Sequence, residues 1–238
     1  AGSPGKGACD CIKFLLEAEA EVESKDELGW TPLMFACRNN QMDQVALLLE
    51  HMANIRVRTD DARTPMMLAA VEGSETLIQY LADQKAPMDK KDDRGWTVLF
   101  VACDLGHVEL VKWLLKKQIN VRDRAKDGKT PLIATVGAPT GAANRIVMHL
   151  LKKNASVNLK TVEGNTALMW ALYNNKEEMA DYLMEEQPDL DVLVKNTDGE
   201  DAIDLAERAG FNALKVKIEL RARIQAEALS ALAERKLG

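Results

Sequence analysis

The sequence predicts an all-α solenoid of stacked helix-turn-helix units closed by a long C-terminal helix, and three observations carry that reading. Thr31, Thr64, Thr97 and Thr130 recur in steps of 33 residues, and a slightly longer step reaches Thr166. Each threonine opens a short apolar run, and Asn40, Gly73, Gly106 and Asn175 fall in one column where such a run must end. These residue types tolerate the left-handed backbone that closes a helix. A second apolar stretch then follows at the three-to-four-residue spacing of a helix buried along one face. A unit of this size cannot bury its own apolar faces, so copies must stack.

The stretch from Asp92 to Arg124 shows the unit most clearly. Gly95 ends a polar turn, and Thr97 is placed to cap a helix carrying Leu99, Ala102 and Cys103. Gly106 stops that helix, and Val108, Val111, Leu114 and Leu115 line one face of the next. Where proline follows the threonine, as in Thr31-Pro32, Thr64-Pro65 and Thr130-Pro131, it occupies the first helical position. Proline there forfeits no helical hydrogen bond and presets φ.

This register resembles the ankyrin repeat, with its pattern D-x-x-G-x-T-P-L-H-x-A-A-x-x-G-H. Thr31-Pro32-Leu33 with Ala36, Thr64-Pro65-Met66 with Ala69 and Ala70, and Thr130-Pro131-Leu132 carry the match. Thr97-Val98 and Thr166-Ala167 lack the proline but keep the frame. The resemblance implies β-hairpin-like loops between units. It divides the chain, read as one domain, into a partial repeat 1–25, full repeats 26–58, 59–91, 92–124, 125–160 and 161–194, and a degenerate repeat with capping helix over 195–238.

Taken in order, Ala8 to Glu23 reads as the second helix and outgoing loop of a repeat whose first helix is missing. Gly2-Ser3-Pro4 stands as far before Leu15-Leu16 as Gly137-Ala138-Pro139 stands before Leu150-Leu151, which predicts a lengthened, proline-containing loop in both repeats. The degenerate repeat enters a short helix over 201–208. The closing helix runs from Asn212 to about Lys236, with Leu214, Ile218, Leu220, Ile224, Leu229 and Leu232 along a broad stripe. Its first half is expected to cap the stack, since a solenoid needs a polar outer face at its end.

Two departures from the family pattern bear on stability. After the second helix, where the family usually has glycine, this chain has Glu19, Met52, Lys85, Gln118 and Asn154. Each costs on the order of 1 kcal/mol if the left-handed geometry is kept. The histidine after Thr-Pro-Leu is replaced by Met34, Met67, Phe100, Ile133 and Met169, so apolar packing is expected in place of a polar bridge between repeats.

Apolar residues at 47% and charged residues at 29% fit an ordinary soluble chain. No apolar run approaches the roughly 20 residues that span a bilayer, and no signal peptide is visible at Ala1-Gly2-Ser3-Pro4. The cysteines Cys9, Cys11, Cys37 and Cys103 show no disulfide framework and read as reduced core thiols. That favours cytoplasm or nucleus. The net charge of −6 is unevenly placed: Asn174 to Arg208 holds twelve acidic residues against Lys176, Lys195 and Arg208, a local −9. The closing helix swings back to +3.

Nothing in the chain sets up catalysis. No nucleophile has a base beside it, no phosphate loop is present, and His51, His107 and His149 are scattered among repeats. Cys9-x-Cys11 lacks the spacing and second ligand pair of a metal site. No cofactor or metal is expected. Nucleic-acid binding is disfavoured by the acidic total and by tips of alternating sign such as Asp89 to Arg94, although the tip from Arg122 to Lys129 is positive.

What remains is surface recognition, with a protein or peptide as partner; the oligomeric state is left open, a monomer being favoured. The resemblance implies a concave face of hairpin tips and first-helix edges, which places Leu28, Trp30, Arg38 and Asn39 in the first full repeat. Arg63, Val71 and Glu72 follow in the second, and Arg94, Trp96, Asp104 and Leu105 in the third. Lys126, Lys129, Asn165, Tyr173 and Asn174 complete the set. Trp30 and Trp96, with Arg38, Arg63 and Arg94, have the composition of a groove for an apolar, partly acidic peptide. The other reading of these tryptophans is that they cover the hairpin base of the next repeat. Asn158, in Ala155-Ser156-Val157-Asn158, matches the position at which some ankyrin proteins are hydroxylated. Two further roles stay open: the recognition segment of a larger enzyme or channel, or an architectural spacer.

Overall fold

The computed structural model describes residues 4–138 and 141–237, so Gly2, Ser3 and Pro139 of the expected lengthened loops lie outside the described residues. Among the described residues the elements are helices joined by turns, with no strand. Two compact units divide between Ile119 and Asn120. The first holds α1 (Pro4–Glu17), α2 (Pro32–Arg38), α3 (Met42–Glu50), α4 (Pro65–Ala70), α5 (Glu75–Asp83), α6 (Val98–Asp104) and α7 (Val108–Lys116). In it α2, α4 and α6 stack as an inner row, each paired with the helix after it, while α1 packs on α3 and α5 on α7.

The second unit holds α8 (Pro131–Gly137), α9 (Ala142–Lys152), α10 (Ala167–Tyr173), α11 (Glu177–Glu186), α12 (Ala202–Arg208) and α13 (Asn212–Leu237). Here α8, α10 and α12 form the row, with α9, α11 and α13 behind them. No helix among the described residues is long and apolar enough to cross a membrane.

The threonine column starts the inner helices, but by two different means. Thr64, Thr130 and Thr166 accept hydrogen bonds from the backbone N–H groups of Met67, Ile133 and Met169. Thr31 and Thr97 occupy the same position, yet their Oγ1 atoms are buried with no partner among the described residues. The expected Thr97 side-chain cap is therefore not made. There the hydroxyl serves shape, and the helix start rests on the extended backbone before it.

Most of the helices end in left-handed residues, but α8 and α11 end at Ala138 with φ −64° and Gln187 with φ −120°. Asn40, Gly73, Gly106 and Asn175 close the inner row at φ values of 54°, 68°, 79° and 55°. The outer helices end at Glu19, Met52, Lys85, Gln118 and Asn154, with φ between 58° and 65°, so the geometry is kept without glycine. After α3, Met52 N–H donates to Leu49 O and Ala53 N–H to Leu48 O, both at 3.0 Å, the paired bonds of a Schellman motif.

The hairpin-like turns have their own anchor column. Asp26, Thr59, Asp92, Thr161 and Asn196 each accept, through a side-chain oxygen, the N–H four residues on. Successive tips are joined by backbone bonds, Asp60 N–H to Leu28 O and Asp93 N–H to Asp61 O in the first unit, and Val162 N–H to Asp127 O in the second. Neighbouring tips lie so close that a Cβ on Gly128 would stand 2.7 Å from Val162 N. Ala62 occupies the equivalent turn position at φ 64°.

The core is apolar where the family histidine is absent. Met34, Met67, Phe100, Ile133 and Met169 are all buried. A polar bridge between repeats survives from a different column: His107 Nε2 lies 2.9 Å from Val71 O, with its ring stacked over Gly73. Cys37 and Cys103 are core thiols, and burial pushes the Cys37 thiol up to about 12. Cys9 is half-buried and Cys11 exposed, so the expectation of four core thiols fails on the first outer helix.

The closing helix is a cap over its first half only. Leu214, Ile218 and Ala222 are buried, and Arg221 donates to the carbonyls of Met184, Gln187 and Pro188 that end α11. Lys217 bonds Asp181 and Glu185, and these hydrogen bonds raise its pKa. Leu220, Ile224, Leu229 and Leu232 of the expected stripe are exposed. Only Leu214 and Ile218 from that stripe belong to the core.

Candidate partner-binding site

The third full repeat presents a half-buried aromatic, Trp96, with several contacts around it. Asp92 is buried, and its Oδ1 accepts the N–H groups of Arg94 at 3.0 Å and Trp96 at 2.8 Å. Its Oδ2 accepts Nε and Nη2 of Arg94, each at 3.1 Å, so the buried carboxylate is fully engaged. The Arg94 guanidinium in turn lies 4.1 Å from the centroid of the Trp96 ring. Trp96 stacks on buried Phe100 at 5.7 Å. A turn, an ion pair and a core ring thus hold a half-buried tryptophan in one orientation before any partner arrives.

Beside it opens a cleft of about 180 Å³, with Arg63, Met67, Leu68 and Val71 on one wall and Asp92, Arg94, Trp96, Val101, Asp104 and Leu105 on the other. Six of the residues expected from sequence, Arg63, Val71, Arg94, Trp96, Asp104 and Leu105, meet here. The lining mixes apolar side chains with Arg63, Arg94, Asp92 and Asp104. Arg63 pairs with Asp61 at 2.8 Å, but its Nε is buried and has no partner among the described residues. The volume falls below the roughly 300–1,000 Å³ of small-molecule sites and suits one or two side chains.

The other expected residues of the first unit lie elsewhere. Trp30 does not line the cleft; it packs against Phe35 with centroids 5.1 Å apart. Leu28 and Asn39 are exposed, and Arg38 pairs with Glu72 of the next repeat at 2.5 Å. Trp30 is thus not among the residues that line the cleft beside Trp96.

In the second unit the expected residues gather around an aromatic pair. Lys129 Nζ sits 4.8 Å from the centroid of Trp170, and Trp170 stacks on exposed Tyr173 at 6.0 Å and 10°. Arg208 lies 5.7 Å from Tyr173. Asn174 donates to Trp170 O, Asn165 accepts from Asn196, and Lys126 is exposed. Asn158 is occupied on both sides: its Nδ2 donates to Asp189 O at 2.7 Å and its Oδ1 accepts Asp191 N–H at 2.9 Å. His51 Nδ1 lies 2.9 Å from Leu47 O at the end of α3.

Sequence reasoning missed Phe35, Trp170 and Asp92. Phe35 and Trp170 each stand four residues after the repeat threonine, a column whose large, partly exposed members were available to see. Asp92 was legible too, since Asp26 and Asp92 stand in one column, two residues before the tips that carry Leu28 and Arg94.

A repeated helix pair and tips joined by single backbone bonds define a repeat-built protein. The particular repeat is settled by its sequence model. The chain belongs to the ankyrin-repeat family: a family model of ankyrin repeats in three copies matches residues 3–92, 77–138 and 137–226. Comparison with curated proteins found no match. Ankyrin repeats generally serve as protein–protein interaction modules and are typically non-catalytic.

Proposed function

We propose that the chain is a non-catalytic interaction module that receives an apolar side chain of a protein or peptide partner in the cleft beside Trp96. The observation that carries this reading is the cleft itself, lined by Met67, Val71, Val101 and Leu105 beside a tryptophan that packs against Arg94 and Phe100. Trp and Arg are the residue types that dominate binding energies at interfaces, and the fixed Trp96 rotamer lowers the entropy lost on binding. The reduced thiols Cys37 and Cys103 suit a reducing compartment, cytoplasm or nucleus, and the module acts as a monomer. The cluster around Trp170 and Tyr173 serves as a second contact region, and Asn158 is the position for asparagine hydroxylation.

The test is selection of ligands from a displayed peptide library, followed by calorimetric titration of the winners against Trp96→Ala and Arg63→Ala, each first checked for an unchanged thermal midpoint. Loss of a Trp96 anchor is expected to weaken binding by about 30-fold, the equivalent of roughly 2 kcal/mol. Leu105→Asp, on the rim, is a further variant that leaves the core untouched. Peptides that bind all three variants as tightly as the parent would sink the cleft as the site.

A further inference from the structure

The tips of the first unit carry an acidic column that no ion pair compensates. Glu27, Asp60 and Asp93 recur at intervals of 33 residues, and all three are exposed. The residue before each, Asp26, Thr59 or Asp92, holds its turn by accepting the N–H four residues on, so the column beside it is free of that duty. The bonds from Asp60 N–H to Leu28 O and from Asp93 N–H to Asp61 O tie the three tips together in sequence, which sets the carboxylates in one row. The row borders the cleft, since Asp93 stands between Asp92 and Arg94, which both line it.

The arginines around the cleft do not offset this row. Arg38 pairs with Glu72, Arg63 with Asp61 and Arg94 with Asp92. Asp92 is buried, so drawing Arg94 away would strand a charge out of contact with water. Arg58, two residues before Asp60, donates to the carbonyls of Ala62 and Lys91. Among the described residues no ion pair engages Glu27, Asp60 or Asp93. Paired charges largely cancel at a distance, so the unpaired carboxylates set the sign of the local field.

We infer that the Trp96 cleft receives a basic protein segment, whose apolar anchor enters the cleft while neighbouring lysine or arginine side chains meet Glu27, Asp60 and Asp93. The inference rests on the cleft reading above and adds the charge of the partner. It reverses the sign expected from sequence, where Arg38, Arg63 and Arg94 pointed to a partly acidic peptide. Exposed charges of this kind each contribute little, and together they steer the encounter and exclude acidic segments.

The experiment lets the cleft choose. A displayed library of short peptides carries one fixed leucine, with Lys, Arg, Asp, Glu, Ala and Ser encoded at equal frequency in its flanks, and is selected on the full chain at low salt. The winners are expected to be enriched in Lys and Arg and depleted in Asp and Glu. The strongest winner is then titrated against a triple variant, Glu27→Gln, Asp60→Asn and Asp93→Asn, which keeps every turn anchor. Binding is expected to weaken about tenfold at low salt, and the difference should close toward about 1 M salt as screening removes exposed charge effects. Trp96→Ala should weaken the same peptide at every salt concentration. Winners that need Trp96 but carry no basic excess, or that bind the triple variant equally well, overturn the charge inference and leave the cleft standing. Winners indifferent to Trp96→Ala, or a selection that yields none, overturn both.

Discussion

Replacing Met52 and Lys85 by glycine is expected to stabilise the first unit, and the size of the gain can be worked from geometry. Both follow an outer helix, both have φ near 65°, and both close the helix through paired bonds, Ala53 N–H to Leu48 O and Ala86 N–H to Leu81 O. A side chain at this φ costs about 1–2 kcal/mol. Glycine removes that strain but adds about 0.5–1 kcal/mol of unfolded-state entropy, leaving a net gain of roughly 0.5–1 kcal/mol per site. Met52 is 85% exposed, so little packing is lost with its side chain. Together the two changes should raise the thermal midpoint by about 2–8 °C for a chain of this length. Thermal and urea unfolding followed by circular dichroism would measure it, with Met52→Ala and Lys85→Ala as controls that keep the Cβ. If the alanine controls gain as much as the glycines, strain at φ is not the cause and the reasoning fails.

Ala62→Gly should behave alike, since Ala62 holds φ 64° in a turn whose counterparts are Gly29 and Gly95; an unchanged or lowered urea midpoint would contradict this. Thr97→Val is expected to be neutral or stabilising, because it removes a buried hydroxyl without a partner, while Thr64→Val should cost about 1 kcal/mol by orphaning the Met67 N–H; equal effects in urea titrations would count against the distinction. The Cys37 thiol, raised from 9.0 to about 12 by burial, contributes stability that is fully present below about pH 9 and is lost as pH rises toward 12, when only the unfolded chain ionises. Urea midpoints at about pH 8 and about pH 10.5 should therefore fall more steeply for the parent than for Cys37→Ala.

The repeat frame was legible because its signals are local. A threonine that starts a helix, a residue that tolerates positive φ and a leucine pair at fixed spacing each act within a few residues of themselves, so one sequence displays them all. The strained column from Glu19 to Asn154 could be located only through the resemblance, which usually has glycine there, and the structure keeps the left-handed backbone without it. Less legible were features that depend on what a neighbour supplies. Thr97 and Thr64 are the same residue in the same place, yet only Thr64 bonds the helix it starts. The stripe on the closing helix looked continuous because its spacing does not report where α11 stops offering a surface.

The candidate site follows the same division. Register placed Arg63, Val71, Arg94, Trp96, Asp104 and Leu105 on an exposed edge, and the structure gathers them around one cleft. Register also treated Trp30 and Trp96 as equivalents, which their surroundings contradict. Trp96 is fixed by Arg94 and by Phe100, a buried residue of the third inner helix. Trp30 rests on Phe35, which is 46% exposed. A column assigns residues to a face, but whether a residue works as an anchor depends on the repeats on either side. The first full repeat is where the surroundings differ, since Trp30 packs on a part-exposed ring and Trp96 on a buried one.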